Sequence, residues 1–254
     1  MRDRVRKILL AGAALTILWQ IAAFALDDYL VPYPLETFRA LRVAVAGDDP
    51  LLAYLRDTAI LALEGIAGGA AIATLLAFAL RALPFGDVLL GGIAALLDPF
   101  PAVVLYPLFG LWLDDSPNAV LAVTAAGTGL PLLAAIDRGL GNVPRTYLDV
   151  ARNIGWRGPT VFFRVQLPAA APVLARGLRE SAKSGFRALI AAELLLGALS
   201  KAGGLGGYLM SQNREEARAN VLAAVLVVLA LALVVDFLFR VLEESVAGSA
   251  KLPE

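Results

Sequence analysis

Residues 137–176 read DRGLGNVPRTYLDVARNIGWRGPTVFFRVQLPAAAPVLAR, a polar, arginine-rich stretch that lies between long apolar runs. The helices of a bundle are usually joined by short connections of about two to eight residues. A connection as long as 137–176 is expected to have structure of its own. Its many basic residues predict a surface that a partner on one side of the membrane can bind.

The composition indicates a protein whose solvent is the lipid bilayer. The chain has 254 residues, of which 59% are hydrophobic and 17% are charged, and its mean hydropathy is +0.74. Soluble domains contain about 45–50% apolar and about 25% charged residues. The formal net charge is zero, which gives no support for a nucleic-acid partner.

The residue types that usually carry chemistry are scarce. Cysteine and histidine are both absent, which removes thiol chemistry, the usual general base and the commonest metal ligand. None of the four lysines completes a G-x-x-x-x-G-K-[ST] loop for nucleotide phosphates. We therefore predict no enzyme activity, no catalytic residue and no metal site, and we place any nucleotide on a separate subunit.

Six apolar segments approach the roughly 20 residues that a membrane-spanning helix needs. The fifth is short and contains Arg187 and Glu193. The sequence thus predicts an all-α membrane protein with about six transmembrane helices in one domain, 1–254. The predicted spans are 8–26, 58–80, 88–113, 119–136, 184–199 and 221–239.

The distribution of lysine and arginine predicts the orientation. With the N-terminus inside, sixteen basic residues lie on the cytoplasmic side and six outside, so both termini and the 137–176 loop are predicted to be cytoplasmic. Ala23-Phe24-Ala25 offers the alternative of a cleaved signal peptide. In the outer segment, Val31–Pro34 is predicted to be extended, and Leu35–Val45 is predicted to form an interfacial amphipathic helix.

Within the long loop, the spacing predicts a helix over 144–154. Tyr147, Val150, Ala151 and Ile154 recur at helical spacing as an apolar stripe. On the charged face, Asp149 is predicted to pair with the arginines four residues before it and three residues after it.

After this helix, Gly155 suits the left-handed residue that ends it. Pro159 is expected to open a second short helix that Leu167-Pro168 closes. Spacing alone leaves two alternatives open: a unit that enters a partner's groove, and a solvated linker on the membrane surface.

One string in this loop resembles a known motif. Asp149-Val-Ala-x-x-x-Gly155 followed by Phe162-x-x-Val165-x-Leu167-Pro168 is similar to the "EAA" motif of ABC importer permeases. Asp149 stands for the glutamate of that motif and Val150 for an alanine. The Val31-Pro-Tyr-Pro34 entry and the Gly204-Leu-Gly-Gly-Tyr208 element resemble the nitrate, sulfonate, taurine and bicarbonate branch of that family.

The resemblance implies the type I ABC importer permease fold, with a cytoplasmic coupling-helix loop at 137–176, in a bacterial inner membrane. It implies a dimer, a homodimer by expectation, that docks a pair of ATPase subunits which hold ATP and Mg, while the chain itself binds no cofactor. A periplasmic or lipid-anchored binding protein would deliver a small polar solute. The docking residues it implies are Tyr147, Asp149, Ala151, Arg152, Gly155, Trp156, Phe162, Leu167 and Pro168.

Three residues are candidates for the translocation pathway: Asp98, Pro101 and Glu193. Asp98 is about ten residues, or roughly 15 Å, into the third span, where an ionisable group is costly and usually functional. Pro101 belongs to a run of prolines that breaks this span, and broken backbone at that depth lines a cavity or is buried in protein.

Both acids have structural alternatives. Asp98 could pair with an arginine of a neighbouring segment, and Glu193 could cap a helix or contact a second subunit. Two rival functions also remain: a secondary transporter would show an inverted repeat, and a membrane enzyme would need a set of catalytic groups that this chain lacks.

Overall fold

The computed structural model describes residues 2–26, 31–47, 50–114, 116–200 and 203–249. Two of the basic residues that were counted to predict the orientation, Lys201 and Lys251, lie outside these described residues. The regular structure in the described part is helical throughout. The prediction of an all-α chain is therefore confirmed.

The helices follow the predicted apolar segments and extend most of them. Tyr33 is extended as predicted, whereas Pro34, which was predicted to be extended, opens the second helix. The Ser116 hydroxyl accepts the Asn118 N–H at the start of the sixth helix. The α-helices are α1 Arg2–Ala25, α2 Pro34–Ala46, α3 Leu51–Arg81, α4 Gly86–Leu97, α5 Tyr106–Leu113, α6 Pro117–Gly141, α7 Arg145–Asn153, α8 Pro159–Val161, α9 Leu167–Ser200, α10 Gly204–Arg214 and α11 Arg218–Ser249.

By length and composition, three helices in the described residues can cross a membrane singly: α3, α6 and α11. The number is five if the bent pairs α4–α5 and α9–α10 each count as one span, and α1 contributes a shorter apolar helix, Leu10–Ala25. The predicted third span is bent by 88° at the prolines that follow Asp98, because proline lacks the N–H that a continuous helix requires.

The helices on both sides of the long loop extend into it, while the predicted span bounds themselves stay predictions. A single helix, α9, runs from Leu167 to Ser200, and α6 continues to Gly141, so the connection is 142–166 and not 137–176. Leu167-Pro168 does not close a second helix, because Pro168 lies in the first turn of α9, where a missing N–H is tolerated. We call residues 142–166 the coupling segment.

The described residues divide into two compact units: Met1–Thr58 with Glu193–Ala230, and Ala59–Ala192 with Leu231–Glu254. The single domain 1–254 stays a prediction. In the second unit, an apolar core packs around Leu90, Leu132 and Leu140 from α4 and α6. Val143, at the start of the coupling segment, and Ala170, just after its end, belong to the same core.

A cluster of charged side chains joins α9 and α11 within the second unit. Arg179 donates to both carboxylate oxygens of Asp236, at 2.8 and 3.0 Å, and to Glu243 at 3.1 Å. Lys183 and Arg240 also contact Asp236, at 3.2 and 2.8 Å. Arg240 lies on α11 itself, but the other two cations recur at helical spacing on α9 and the acids on α11, so the two helices are held in one register.

In the first unit, a buried carboxylate caps a helix. Glu193 is fully buried; it accepts the Thr58 hydroxyl at 2.8 Å and the Gly206 N–H at 3.0 Å. The Thr58 oxygen accepts the Leu205 N–H at 2.7 Å. Two of the free N–H groups at the start of α10 thus find acceptors. A side chain at Gly204 would collide with Glu193 and Thr58, so this approach requires glycine.

We expect Arg179→Gln to destabilise the chain by about 3–5 kcal/mol, because it leaves two partly buried carboxylates without their main partner. Arg176→Gln is the matched control. Its side chain is 77% exposed against 18% for Arg179, although it also contacts Glu243. The control should stay within about 1 kcal/mol of wild type. Equal melting temperatures of the two variants in detergent would contradict the assigned role of Arg179.

We expect Glu193→Ala to lower the melting temperature more than Glu193→Gln. Alanine leaves the Gly206 N–H and the Thr58 hydroxyl without an acceptor, at about 1–3 kcal/mol for each unmade buried bond. Glutamine keeps one acceptor oxygen. Glu244→Ala, at an exposed position of α11, is the control and should match wild type. A Glu193→Ala variant as stable as this control would show that the cap contributes nothing.

Candidate functional site

The coupling segment is built around the short helix α7. Pro144 precedes it with φ −56° and ψ 130°, and the buried Val143 fixes the chain before it. One face of α7 packs inward through Leu148 and Ala151. The adjacent face leaves Tyr147, Val150 and Ile154 exposed, and we call these three residues the outer stripe.

Ala151 was predicted to take part in docking, and this stays a prediction. Its side chain is only 2% exposed, so its contacts are mainly within this chain. It lies one residue from Val150 in sequence, about 100° around a helix of 3.6 residues per turn. Ala151 holds α7 against the rest of the chain.

Gly155 ends α7 as the sequence predicts. Its φ is +88°, the left-handed region that favours glycine. The Gly155 N–H donates to the Arg152 carbonyl at 3.0 Å, and the Trp156 N–H donates to the Ala151 carbonyl at 3.0 Å. These two bonds form a Schellman motif, which satisfies the last carbonyls of the helix and reverses the chain.

Aromatic residues attach the second half of the segment to α3. Phe162 packs edge-to-face against Phe78, with ring centroids 5.5 Å apart, and against Phe163 at 5.0 Å. Phe162 is partly buried and packs against the apolar core, which anchors the segment, and its part in docking stays a prediction. Phe163 stays exposed, and Arg164 lies over the Trp156 ring at 5.4 Å.

The predicted second helix does not exist as a separate unit. Pro159–Val161 form one α-turn, and Phe162–Gln166 form a π-helical turn that leads directly into α9. Such turns insert an extra residue into the hydrogen-bond pattern. Leu167 is partly buried at the start of α9, and Pro168 is exposed. The coupling segment is therefore continuous with a helix of 34 residues.

The charged residues of α7 remain on the surface. Arg152 lies 3.7 Å from Asp149, which is the predicted three-residue pair. The predicted four-residue pair between Arg145 and Asp149 is not among the ion pairs within 4 Å that the described residues form. Exposed pairs of this kind contribute little to stability, so both Asp149 and Arg152 are available to a partner.

Of the pathway candidates, Asp98 follows α4 and accepts from Arg138 of α6 at 3.2 Å. A carboxylate at a helix C-terminus is unfavourable, and the arginine offsets this. The structure therefore shows the contact of the structural alternative, in which Asp98 pairs with an arginine of a neighbouring segment. Pro101 precedes the 3₁₀ turn Ala102–Leu105 at the bend. Glu193 caps α10 in the first unit, whereas Asp98 belongs to the second unit.

Two sets of contacts that position the coupling segment and α9 were not predicted from the sequence. The Gln166 side chain donates to the Leu140 carbonyl at 3.2 Å, which fixes the end of the coupling segment to the last turn of α6. Nothing in the sequence marks this contact. The charged cluster of α9 and α11 could have been found, because Arg176, Arg179 and Lys183 share one helical spacing with acids on the last span.

Comparison with known proteins is consistent with this architecture. The family of binding-protein-dependent transport system inner membrane components matches residues 65–248. A putative ABC transporter permease of Methanocaldococcus jannaschii is 26% identical over 251 residues, which cover 96% of this chain and 91% of the relative.

Two relatives from Escherichia coli have named solutes. A putative aliphatic sulfonates transport permease is 30% identical over 147 residues, 58% of this chain and 54% of the relative. A taurine transport system permease is 24% identical over 235 residues, 90% of this chain and 84% of the relative.

The family match covers well over half of the chain and includes the whole coupling segment. Permeases of this kind are multi-pass proteins of the inner membrane. They work with a solute-binding protein and with a separate ATPase subunit, so the chain is not itself an enzyme. The chain belongs to the family of binding-protein-dependent transport system inner membrane components, as the permease subunit of an ABC importer.

Proposed function

We propose that the coupling segment docks an ABC ATPase subunit through the outer stripe, and that the chain works as one of two identical copies. The observation that carries this proposal is the division of α7 into two apolar faces. Leu148 and Ala151 fix the helix to the protein, while Tyr147, Val150 and Ile154 stay exposed. A fixed helix with an exposed apolar stripe suits a partner's groove.

The exposed charges fit the same arrangement. Asp149 and Arg152 are exposed on the charged face of α7, and their weak mutual pairing leaves both able to bond to a partner. Trp156 and Arg164 lie just beyond Gly155 and widen the surface. Aromatic and arginine side chains are the types that contribute most at protein interfaces.

If a partner moved the outer stripe, the movement would be transmitted through direct contacts to three helices. Phe162 contacts Phe78 of α3, Gln166 bonds to the end of α6, and α9 continues from the π-helical turn. The partner ATPases would hold ATP and Mg, and their closure would drive the spans between inward-open and outward-open states. No covalent step occurs on this chain.

The solute is proposed to be a small oxyanion, of the sulfonate or taurine kind that relatives carry in their names. A periplasmic or lipid-anchored binding protein would deliver it to the outer side. The surplus of basic residues on one side supports cytoplasmic termini and a cytoplasmic coupling segment. Asp98, Pro101 and Glu193 remain predictions for the pathway.

We expect Gly155→Glu to abolish both transport and co-purification of the ATPase subunit. A non-glycine residue at φ +88° costs about 1–2 kcal/mol, and the new side chain projects into open space beside the outer stripe. Gly155→Asn is the control, because asparagine tolerates this conformation, and it should retain the ATPase. If the glutamate variant keeps both activities at wild-type level, the docking surface is elsewhere.

The outer stripe itself is tested by the double variant Tyr147→Ser, Ile154→Ser. We expect its affinity for the purified ATPase to fall at least about tenfold, since two apolar anchors are lost, while its melting temperature stays unchanged. The matched control is Leu35→Ser, Val43→Ser, which removes two equally exposed apolar residues from α2. If the double variant binds the ATPase as the control does, the stripe faces lipid or solvent instead.

A further inference from the structure

A polar cavity lies in the second unit between α6, α9 and the end of α4. Its volume is about 410 Å³, and one stripe of α9 forms much of its wall. The residues of that stripe recur every three or four positions, so they point to one side of the helix. Its polar members are Arg176, Glu180, Ser181, Ser184 and Arg187.

The charges that line this cavity do not cancel. Asp98 pairs with Arg138, and both line the wall. Glu180 also lines it and pairs with Lys183 at 2.8 Å. Arg176 pairs with Glu243 at 3.3 Å.

Arg187 is the remaining lining charge. Its Nε donates to the Lys183 carbonyl at 3.3 Å, and no described carboxylate lies within the 4 Å of an ion pair. The cavity therefore contains one positive charge without a counter-charge. A group of opposite sign is the partner that such a guanidinium binds best.

A buried hydroxyl lines the same wall. Ser181 is 1% exposed, and its oxygen has no hydrogen-bond partner among the described residues. A buried polar group without a partner is costly, and such groups usually have a partner in the working state. Ser181 lies six residues before Arg187, and Ser184 lies between them on the cavity wall.

We infer that this cavity is a subsite on the translocation path that binds the head group of a small monoanionic oxyanion. Arg187 supplies the charge, and Ser181 donates a hydrogen bond to an oxyanion oxygen. The inference rests on the proposed function and assigns the solute contact to residues of this chain. Asp98 does not oppose an anion here, because Arg138 neutralises it.

The balance of charges on the cavity wall predicts that the cavity discriminates between ligands by their net charge. One unpaired arginine balances one negative charge, and a second negative charge would find no further cation on the cavity wall that is not already paired with a carboxylate. A sulfonate or carboxylate head should therefore bind more tightly than sulfate. A neutral group of the same shape should bind more weakly than either anion.

The test measures binding to the full-length chain in nanodiscs of phosphatidylcholine, which contain no anionic lipid head group. Methanesulfonate is titrated by calorimetry beside sulfate and uncharged dimethyl sulfone. We expect methanesulfonate to bind best, Arg187→Gln to weaken it at least about tenfold and Ser181→Ala about threefold to tenfold. Arg187→Lys keeps the charge and should lie between Arg187→Gln and wild type.

Arg56→Gln is the matched control, because it removes the same charge from an exposed side chain that does not line the cavity. It should bind methanesulfonate as wild type does. The inference is overturned if wild type does not bind methanesulfonate, if it binds dimethyl sulfone equally well, or if Arg187→Gln retains wild-type affinity. ATPase co-purification, measured on the same samples, reports separately on the proposed docking function.

Discussion

A helix in lipid has no water to satisfy the backbone groups at its ends, and unpaired groups there cost several kcal/mol. In this chain, polar side chains supply many of the missing partners. Glu193 and Thr58 accept N–H groups at the start of α10, and Gln166 donates to a carbonyl at the end of α6. Arg214 donates to the last-turn carbonyls of Gly197 and Ala198 in α9. The roles of these polar side chains are thus explained by backbone geometry before any role in transport is invoked.

The coupling segment follows the same principle at the membrane edge. The Schellman motif at Gly155 satisfies the end of α7, and the π-helical turn joins the segment to α9 without an open helix end. The backbone N–H and carbonyl groups at the end of α7 are hydrogen-bonded within the segment. The outer stripe therefore needs no cover from another part of the chain. Its exposed apolar side chains are then free for a second protein, and their fixed position lowers the entropy that binding would cost.

The charged residues of α9 have two different roles, and they lie on two different faces of the helix. One face directs Arg179 and Lys183 to the acids of α11, where the charges are compensated and hold the two helices together. The other face lines the polar cavity, where Arg187 is uncompensated. Both faces belong to one continuous helix that begins at the end of the coupling segment.

The sequence by itself determined the membrane class, the positions of the apolar helices, the helix at 144–154 and its end at Gly155, because apolar periodicity and the left-handed preference of glycine are local properties. It also located the coupling motif. Only the tertiary structure decided that Pro168 lies inside a helix start, that Ala151 and Phe162 face inward, and that Asp98 pairs with Arg138. These outcomes depend on neighbours that are distant in sequence. The element that packs against a residue decides whether its side chain is buried or its charge is neutralised. The spacing of residues along the chain does not identify that element.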